Sequence, residues 1–124
     1  MEDEKQKIFL ELRSILSSYV PPLVVRINEE TRYDVYGSKT VQVGKTKKDG
    51  IYFASIIIQK HHVGFYFFPI YTHRDRFDNV PENLMKLLKG KSCFHLKKFD
   101  EKIFDDIKWI MDKGMKIYKE EGWI

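Results

Sequence analysis

Two apolar, β-branched and aromatic runs lie close together in the middle of the chain and constrain its fold most strongly. The runs Ile51–Gln59 and Val63–Ile70 are separated only by Lys60-His61-His62, a polar turn. Such runs joined by a short turn predict a β-hairpin. Apolar residues on both faces of the first run (Ile51, Phe53 and Ile57 against Tyr52, Ala54, Ile56 and Ile58) favour a central strand covered, at least in part, on both sides.

A third strand is predicted before this hairpin, so that the three strands form an antiparallel meander. The segment Tyr33–Val43 has strand-like composition, and Gly37 inside it indicates a bulge or a close backbone approach. Thr46–Gly50 ends in Asp-Gly and predicts the connecting turn. Residues 23–31 are compatible with either a short strand or a connector packed over the core.

Helical periodicity flanks the meander on both sides. The first helix has one apolar stripe and is stopped by Pro21-Pro22; its stripe is Ile8, Phe9, Leu12, Ile15, Leu16 and Tyr19. A second helix is predicted from Asn79 as cap, with Glu82 reaching back, and with Gly90 at its end; its stripe is Val80, Leu84, Leu87 and Leu88. A strand over 91–97 follows. The last helix begins at Asp100 as N-cap, with Phe99 and Phe104 forming a hydrophobic staple.

The element order α-β-β-β-α-β-α predicts an α+β fold: a four-stranded, mainly antiparallel sheet with helices packed on one face. With 124 residues, 43% of them hydrophobic, we expect one domain over 1–124. The single cysteine fits a reducing cytoplasm, and the acidic start Glu2-Asp3-Glu4 has the wrong sign for a secretory leader. No apolar run approaches the ~20 residues that a membrane helix requires, so we expect a cytoplasmic protein without membrane contact.

Several short motifs resemble the YdhG-like family of small bacterial domains over roughly residues 5–123. They are Tyr36-Gly37-Ser38-Lys39, Tyr52-Phe53-Ala54-Ser55, Lys60-His61-His62-Val63-Gly64-Phe65-Tyr66 and Gly90-Lys91-Ser92-Cys93-Phe94-His95. The resemblance implies the YdhG-like fold. Because some relatives are described as frataxin-like intracellular iron chaperones, it also implies iron as a bound metal.

Strand alternation over 91–97 places Cys93 and His95 together on the face opposite Phe94 and Leu96. A thiol and an imidazole so placed could supply two metal ligands, or a nucleophile with its base. A buried thiol beside a hydrogen-bonded histidine is the structural alternative. His61 and His62 lie in the predicted turn, where solvated side chains are the simpler interpretation.

The leading functional hypothesis is a non-catalytic module that binds a small molecule or an anion. Its site is predicted where the uncovered sheet face meets the loop over 71–79, with the ligand-binding residues Tyr36, Tyr66, His73, Arg74, Lys91 and His95. Tyrosines would form a wall, Lys91 and His95 polar contacts, and Arg74 an anion clamp. No phosphate loop, HExxH, CxxC or Gly-x-Ser-x-Gly motif indicates an enzyme.

Two interaction hypotheses remain as alternatives. The run Val63–Phe68 with nearby lysines is compatible with nucleic-acid binding through exposed rings, although one ring pair must be core and the element order differs from RNA-recognition domains. The lysines fall in two stretches: Lys39, Lys45, Lys47 and Lys48, and an acid-free one with Lys86, Lys89, Lys91, Lys97 and Lys98. Both are also typical of solvated turns. The open sheet face could instead bind a protein partner or form a homodimer.

Overall fold

Four α-helices, one 3-10 turn and eight strands follow one another along residues 2–124, the part of the chain that this computed structural model describes. The predicted acidic start includes Glu2 and Asp3, whose side chains lie outside the described ones. The elements are α1 Glu2–Ser17, β1 Val24–Asn28, β2 Arg32–Tyr36, β3 Val41–Val43, β4 Thr46–Lys48, β5 Tyr52–Ile58, β6 Val63–Phe67, α2 Pro69–Thr72, the 3-10 turn Arg74–Phe77, α3 Glu82–Met85, β7 Leu88–Lys89, β8 Cys93–Leu96 and α4 Glu101–Glu121. None of these helices is long and apolar enough to cross a membrane.

The fold is α+β, as predicted, but its main sheet has six strands rather than four. Their order is β1-β2-β5-β6-β8-β7, and every neighbouring pair is antiparallel. The two additional strands are its edges, β1 and β7. Strands β3 and β4 form a separate two-stranded ribbon, so the predicted strand over 33–43 is in fact interrupted.

Gly37 marks that interruption, and its predicted role in a close backbone approach is confirmed. A Cβ atom added there would lie 2.5 Å from the carbonyl oxygen of Trp123. The chain then leaves the main sheet for the ribbon, whose turn contains Gly44 at φ +60°. The turn predicted over 46–50 is therefore wrong in part: residues 46–48 are strand β4, and the chain bends only at Asp49-Gly50, where Gly50 has φ +128°.

The helix predicted from Asn79 to Leu88 is one turn long. Helix α3 begins after Pro81, which has extended backbone angles, and no side chain caps it. Leu88 and Lys89 instead pair with Phe94 and Cys93 as the edge strand β7. Backbone hydrogen bonds to a neighbouring strand thus replace the last helical turns, and Gly90, at φ +73°, makes the tight reversal between the strands.

Helices α1 and α4 cover one face of the main sheet, as predicted. The apolar stripe of α1 is buried from Ile8 to Leu16. Gly114 of α4 lies so close to the sheet that an added Cβ would meet the Phe67 ring at 2.8 Å. The sheet contributes the buried side chains Val35, Ala54, Ile56, Phe65, Phe67 and Phe94 to this core. Of the two ring pairs in β6, Phe65 and Phe67 are therefore the core pair.

A bulge in the β2–β5 pairing changes the predicted alternation of β5. The register shifts between Val35 and Tyr36, so that Phe53 is an extra residue beside Ala54. The Phe53 ring packs against Tyr118 of α4 at 4.8 Å between ring centroids. Phe53 and Ala54 both belong to the helix-covered core, whereas the sequence pattern assigns them to opposite faces.

Candidate anion-binding cleft

Helix α3, the β7–β8 hairpin and the first turn of α4 enclose a cleft of about 440 Å³. Lysine side chains dominate its lining, and we call it the lysine cleft after them: Lys86, Lys89, Lys97, Lys98 and Lys102. All five residues are exposed to solvent. Pockets of a few hundred Å³ are the usual size of small-molecule sites.

The lysine cleft has a strong excess of positive charge. Among the side chains that the structure describes, none of its five lysines forms an ion pair with a carboxylate. One carboxylate, that of Asp100, lines the cleft with them. Ammonium groups around one cleft repel one another, and a bound anion would relieve that repulsion.

Asp100 is held in place as the N-cap of α4, as the sequence predicts. Its Oδ1 accepts hydrogen bonds from the backbone N–H groups of Lys102, at 3.0 Å, and Ile103, at 3.4 Å. The predicted staple is also present, since the Phe99 and Phe104 rings pack with centroids 4.9 Å apart. Cap and staple together fix the entry of the chain into the helix, and so the positions of the lysines around it.

The floor of the cleft is apolar. Leu96 of β8 and Ile103 of α4 are 1% and 7% exposed, and Leu87 is half-buried between α3 and β7. The backbone carbonyl of Leu87 accepts a hydrogen bond from the N–H of His95 at 2.9 Å. The charged rim therefore surrounds a rigid hydrophobic base.

A pair of stacked histidines adjoins the cleft. The His95 ring, which lines it, lies parallel to that of His62, with centroids 3.7 Å apart and an angle of 12° between the planes. Burial lowers the pKa of both imidazoles. The positive charges of Lys89 and Lys97 lower the pKa of His95 further. His95 and Lys97 lower the pKa of His62 in the same way. Both rings thus favour the neutral form, because a positive charge here meets both partial desolvation and the lysine field.

The residues predicted for a ligand site on the open sheet face are spread over several places. Tyr36 packs edge-on against Tyr52 at 5.3 Å, with the Arg26 guanidinium over its ring at 4.2 Å. Tyr66 accepts a hydrogen bond from Gln59 at 2.8 Å, and the ammonium group of Lys91 lies 5.7 Å from the centre of the Tyr71 ring.

The predicted loop over 71–79 is largely helical and is bound to the end of α4. His73 contacts Thr72 at 2.8 Å through Nδ1 and Glu121 at 2.9 Å through Nε2. Arg74 donates to the carbonyl of Phe77 at 3.4 Å. Within residues 2–124, no hydrogen bond, ion pair or ring contact joins His73 or Arg74 to the other predicted site residues. Of the six, only His95 lines the lysine cleft.

Cys93 and His95 lie on one face of β8, as predicted, and no third metal-binding side chain joins them among the described residues. Tyr66 is opposite Cys93 in the sheet, and the Tyr66 hydroxyl interacts with the thiol. Burial raises the pKa of the thiol, which disfavours the thiolate that binds metals. Among the described side chains, no three from His, Cys, Asp and Glu are grouped to hold a metal ion. The side chains that the structure describes therefore do not fit the iron site that the family resemblance implies.

Comparison of the chain with protein-family models, with curated proteins and with solved structures gives no match. The candidate site consequently rests on its geometry. Four of its lysines belong to the acid-free stretch noted in the sequence, where solvated turns were the simpler interpretation. Lys102 was missed, although it carries a signal. It lies in the first turn of α4, where the helix dipole disfavours a cation, and this unusual placement was the signal that the sequence offered.

Proposed function

We propose that this protein is a binding module for an anionic ligand, which it holds in the lysine cleft. One observation supports the proposal most directly: five lysines surround one cleft whose lining includes a single carboxylate, and none of the five pairs with a carboxylate among the side chains that the structure describes. Lysine ammonium groups are common ligands for phosphate and other compact anions. The proposal retains the anion-binding hypothesis from the sequence and moves the site from the open sheet face to the edge of the sheet.

The lysines of the cleft are attached to packed backbone elements, which favours a defined binding site over a diffuse basic surface. Lys89 lies in β7, Lys102 in the capped first turn of α4, and Lys97 and Lys98 in the short connection between β8 and α4. A site held by packed elements loses less conformational entropy on binding than one made of free loops.

The experiment is a calorimetric titration with tripolyphosphate at low salt and in the presence of a chelator. We compare the unaltered protein with the double variant Lys89→Gln/Lys98→Gln. The matched control is Lys47→Gln/Lys48→Gln in the exposed strand β4, because each pair of substitutions lowers the net charge of +4 by two. We expect the cleft variant to bind about tenfold more weakly or worse, and the control to change by less than about threefold.

Absence of tripolyphosphate binding by the unaltered protein would refute the proposal. An equal loss in both double variants would also refute it, since binding would then follow overall charge. In that case a strong fall in affinity with added salt would favour the nucleic-acid hypothesis, in which many phosphates contact dispersed lysines.

A further inference from the structure

The lysine cleft is larger than a free inorganic anion needs. Its volume of about 440 Å³ falls in the range of pockets that enclose small organic molecules. An inorganic phosphate or polyphosphate is hydrated on all sides and would contact the lysine rim alone. The volume below the rim would then stay filled with water over an apolar surface.

The composition of the floor points to a ligand with an apolar part. Leu87, Leu96 and Ile103 form it, and none of the three offers a side-chain hydrogen bond. Apolar ligand surface placed on this floor leaves water, which stabilises the complex, whereas a phosphate oxygen there would lose its hydration without compensation. Rim and floor therefore favour opposite ends of one amphiphilic molecule.

The His95 side of the cleft also favours a ligand with an apolar or aromatic part. His95 lines the cleft and its ring stacks on that of His62, so the lining includes one aromatic residue with a packed ring. Rigid aromatic surfaces are favourable contacts for planar organic groups. A ligand with a planar organic group would therefore match both the apolar floor and the His95 ring.

We propose that the ligand of the lysine cleft is an organic phosphate, with its phosphate groups among the lysines and its apolar or aromatic group on Leu87, Leu96 and Ile103. This inference rests on the proposed function and specifies the class of anion. A nucleotide and a phosphorylated aromatic compound both have the required chemistry.

The test compares two probes, tripolyphosphate and adenosine triphosphate, in the presence of a chelator. Adenosine triphosphate carries no more charge than tripolyphosphate, so tighter binding must come from its organic part. We expect the unaltered protein to bind it about tenfold more tightly. This comparison needs no variant. It is therefore decisive even where a substitution impairs folding.

A substitution in the apolar floor of the cleft then tests whether the preference for adenosine triphosphate arises there. Leu87→Gln places a polar group on the floor, and Leu88→Gln is the matched control, because Leu88 is the next residue, is also half-buried and does not line the cleft. We expect Leu87→Gln to reduce the preference to about threefold or less while tripolyphosphate affinity stays within about twofold, and Leu88→Gln to retain the preference.

The outcomes separate this inference from the proposed function. Equal affinity for both probes, with tripolyphosphate binding still dependent on Lys89 and Lys98, would overturn the organic-phosphate inference and leave the anion site intact. An equal loss of preference in Leu87→Gln and Leu88→Gln would also overturn it. Binding of neither probe would overturn both proposals.

Discussion

Replacing Asp100 by asparagine isolates the electrostatics of the lysine cleft from the stability of helix α4. The carboxylate caps the helix through Oδ1, which accepts two backbone hydrogen bonds at 3.0 and 3.4 Å. An asparagine amide oxygen can accept the same two bonds, and the two residues are about equally favourable as N-caps. The substitution Asp100→Asn therefore removes the negative charge from the cleft lining and keeps the cap.

The size of the effect follows from the exposure of the site. A solvent-exposed charge interaction contributes little, so removal of one repulsive carboxylate should raise tripolyphosphate affinity by about two- to fivefold. The helix loses only the interaction of a negative charge with its dipole, and the melting temperature should fall by no more than about 4 °C. Asp100→Ala, in contrast, removes the cap itself and should cost about 1 kcal/mol of folding free energy.

Calorimetric titration measures the tripolyphosphate affinity, and thermal unfolding of the same samples measures the melting temperature. The matched control is Asp78→Asn, an exposed carboxylate outside the cleft lining that changes the net charge of +4 by the same amount. An equal rise in affinity in Asp78→Asn and Asp100→Asn would show that overall charge governs binding. Unchanged affinity in Asp100→Asn would show that the bound anion does not experience this carboxylate, and our placement of the ligand would be wrong.

Two further predictions concern the core and the histidine stack. Gly114→Ala should lower the free energy of unfolding, measured in urea, by about 1 kcal/mol, because the added Cβ would lie 2.8 Å from the Phe67 ring and this overpacking outweighs the gain in helix propensity. The control is Lys116→Ala at an exposed position of the same helix. A Gly114→Ala variant that is more stable than the unaltered protein would contradict the prediction. The folded structure lowers the pKa of His62 and of His95, so below pH 6.5, the ordinary pKa of histidine, the unfolded chain binds more protons than the folded one. The free energy of unfolding should therefore fall as the pH drops below 6.5. His62→Gln should flatten the dependence of the urea midpoint on pH and His61→Gln should not; equal slopes in both would count against the stack.

Elements with strong internal periodicity were predictable from the sequence. The stripe of α1, the β5–β6 hairpin, strand β8 and the capped start of α4 each carry their pattern within one segment. Edge strands carry no such pattern of their own, because they are stabilised by hydrogen bonds to a neighbouring strand. Strand β7 has only two residues, and the leucines around it fit a helical stripe equally well. Only the pairing of Leu88 with Phe94 decides between the two conformations.

The cleft was less predictable than the fold for a related reason. Its lysines are close in sequence, from Lys86 to Lys102, but they converge only through the reversal at Gly90 and the cap at Asp100. On the predicted helix over 79–88, Lys86 would have belonged to a solvated helical face. Tyr36, in turn, was assigned to the ligand site from strand alternation, which gives the face of a residue but not its distance from Arg74.

The position of the cleft at the edge of the sheet has a consequence for solubility. Strand β7 is an outer strand, and outer strands are where a second chain can add by backbone pairing. A short strand bordered by lysines resists such addition, because an incoming strand would bring its own copy of the same charges against them. The side chains that we propose as the anion site should therefore also disfavour pairing between copies of this protein at that edge. Neutralising them should make the protein prone to self-association at high concentration, and a bound polyanion that cancels their charge should do the same.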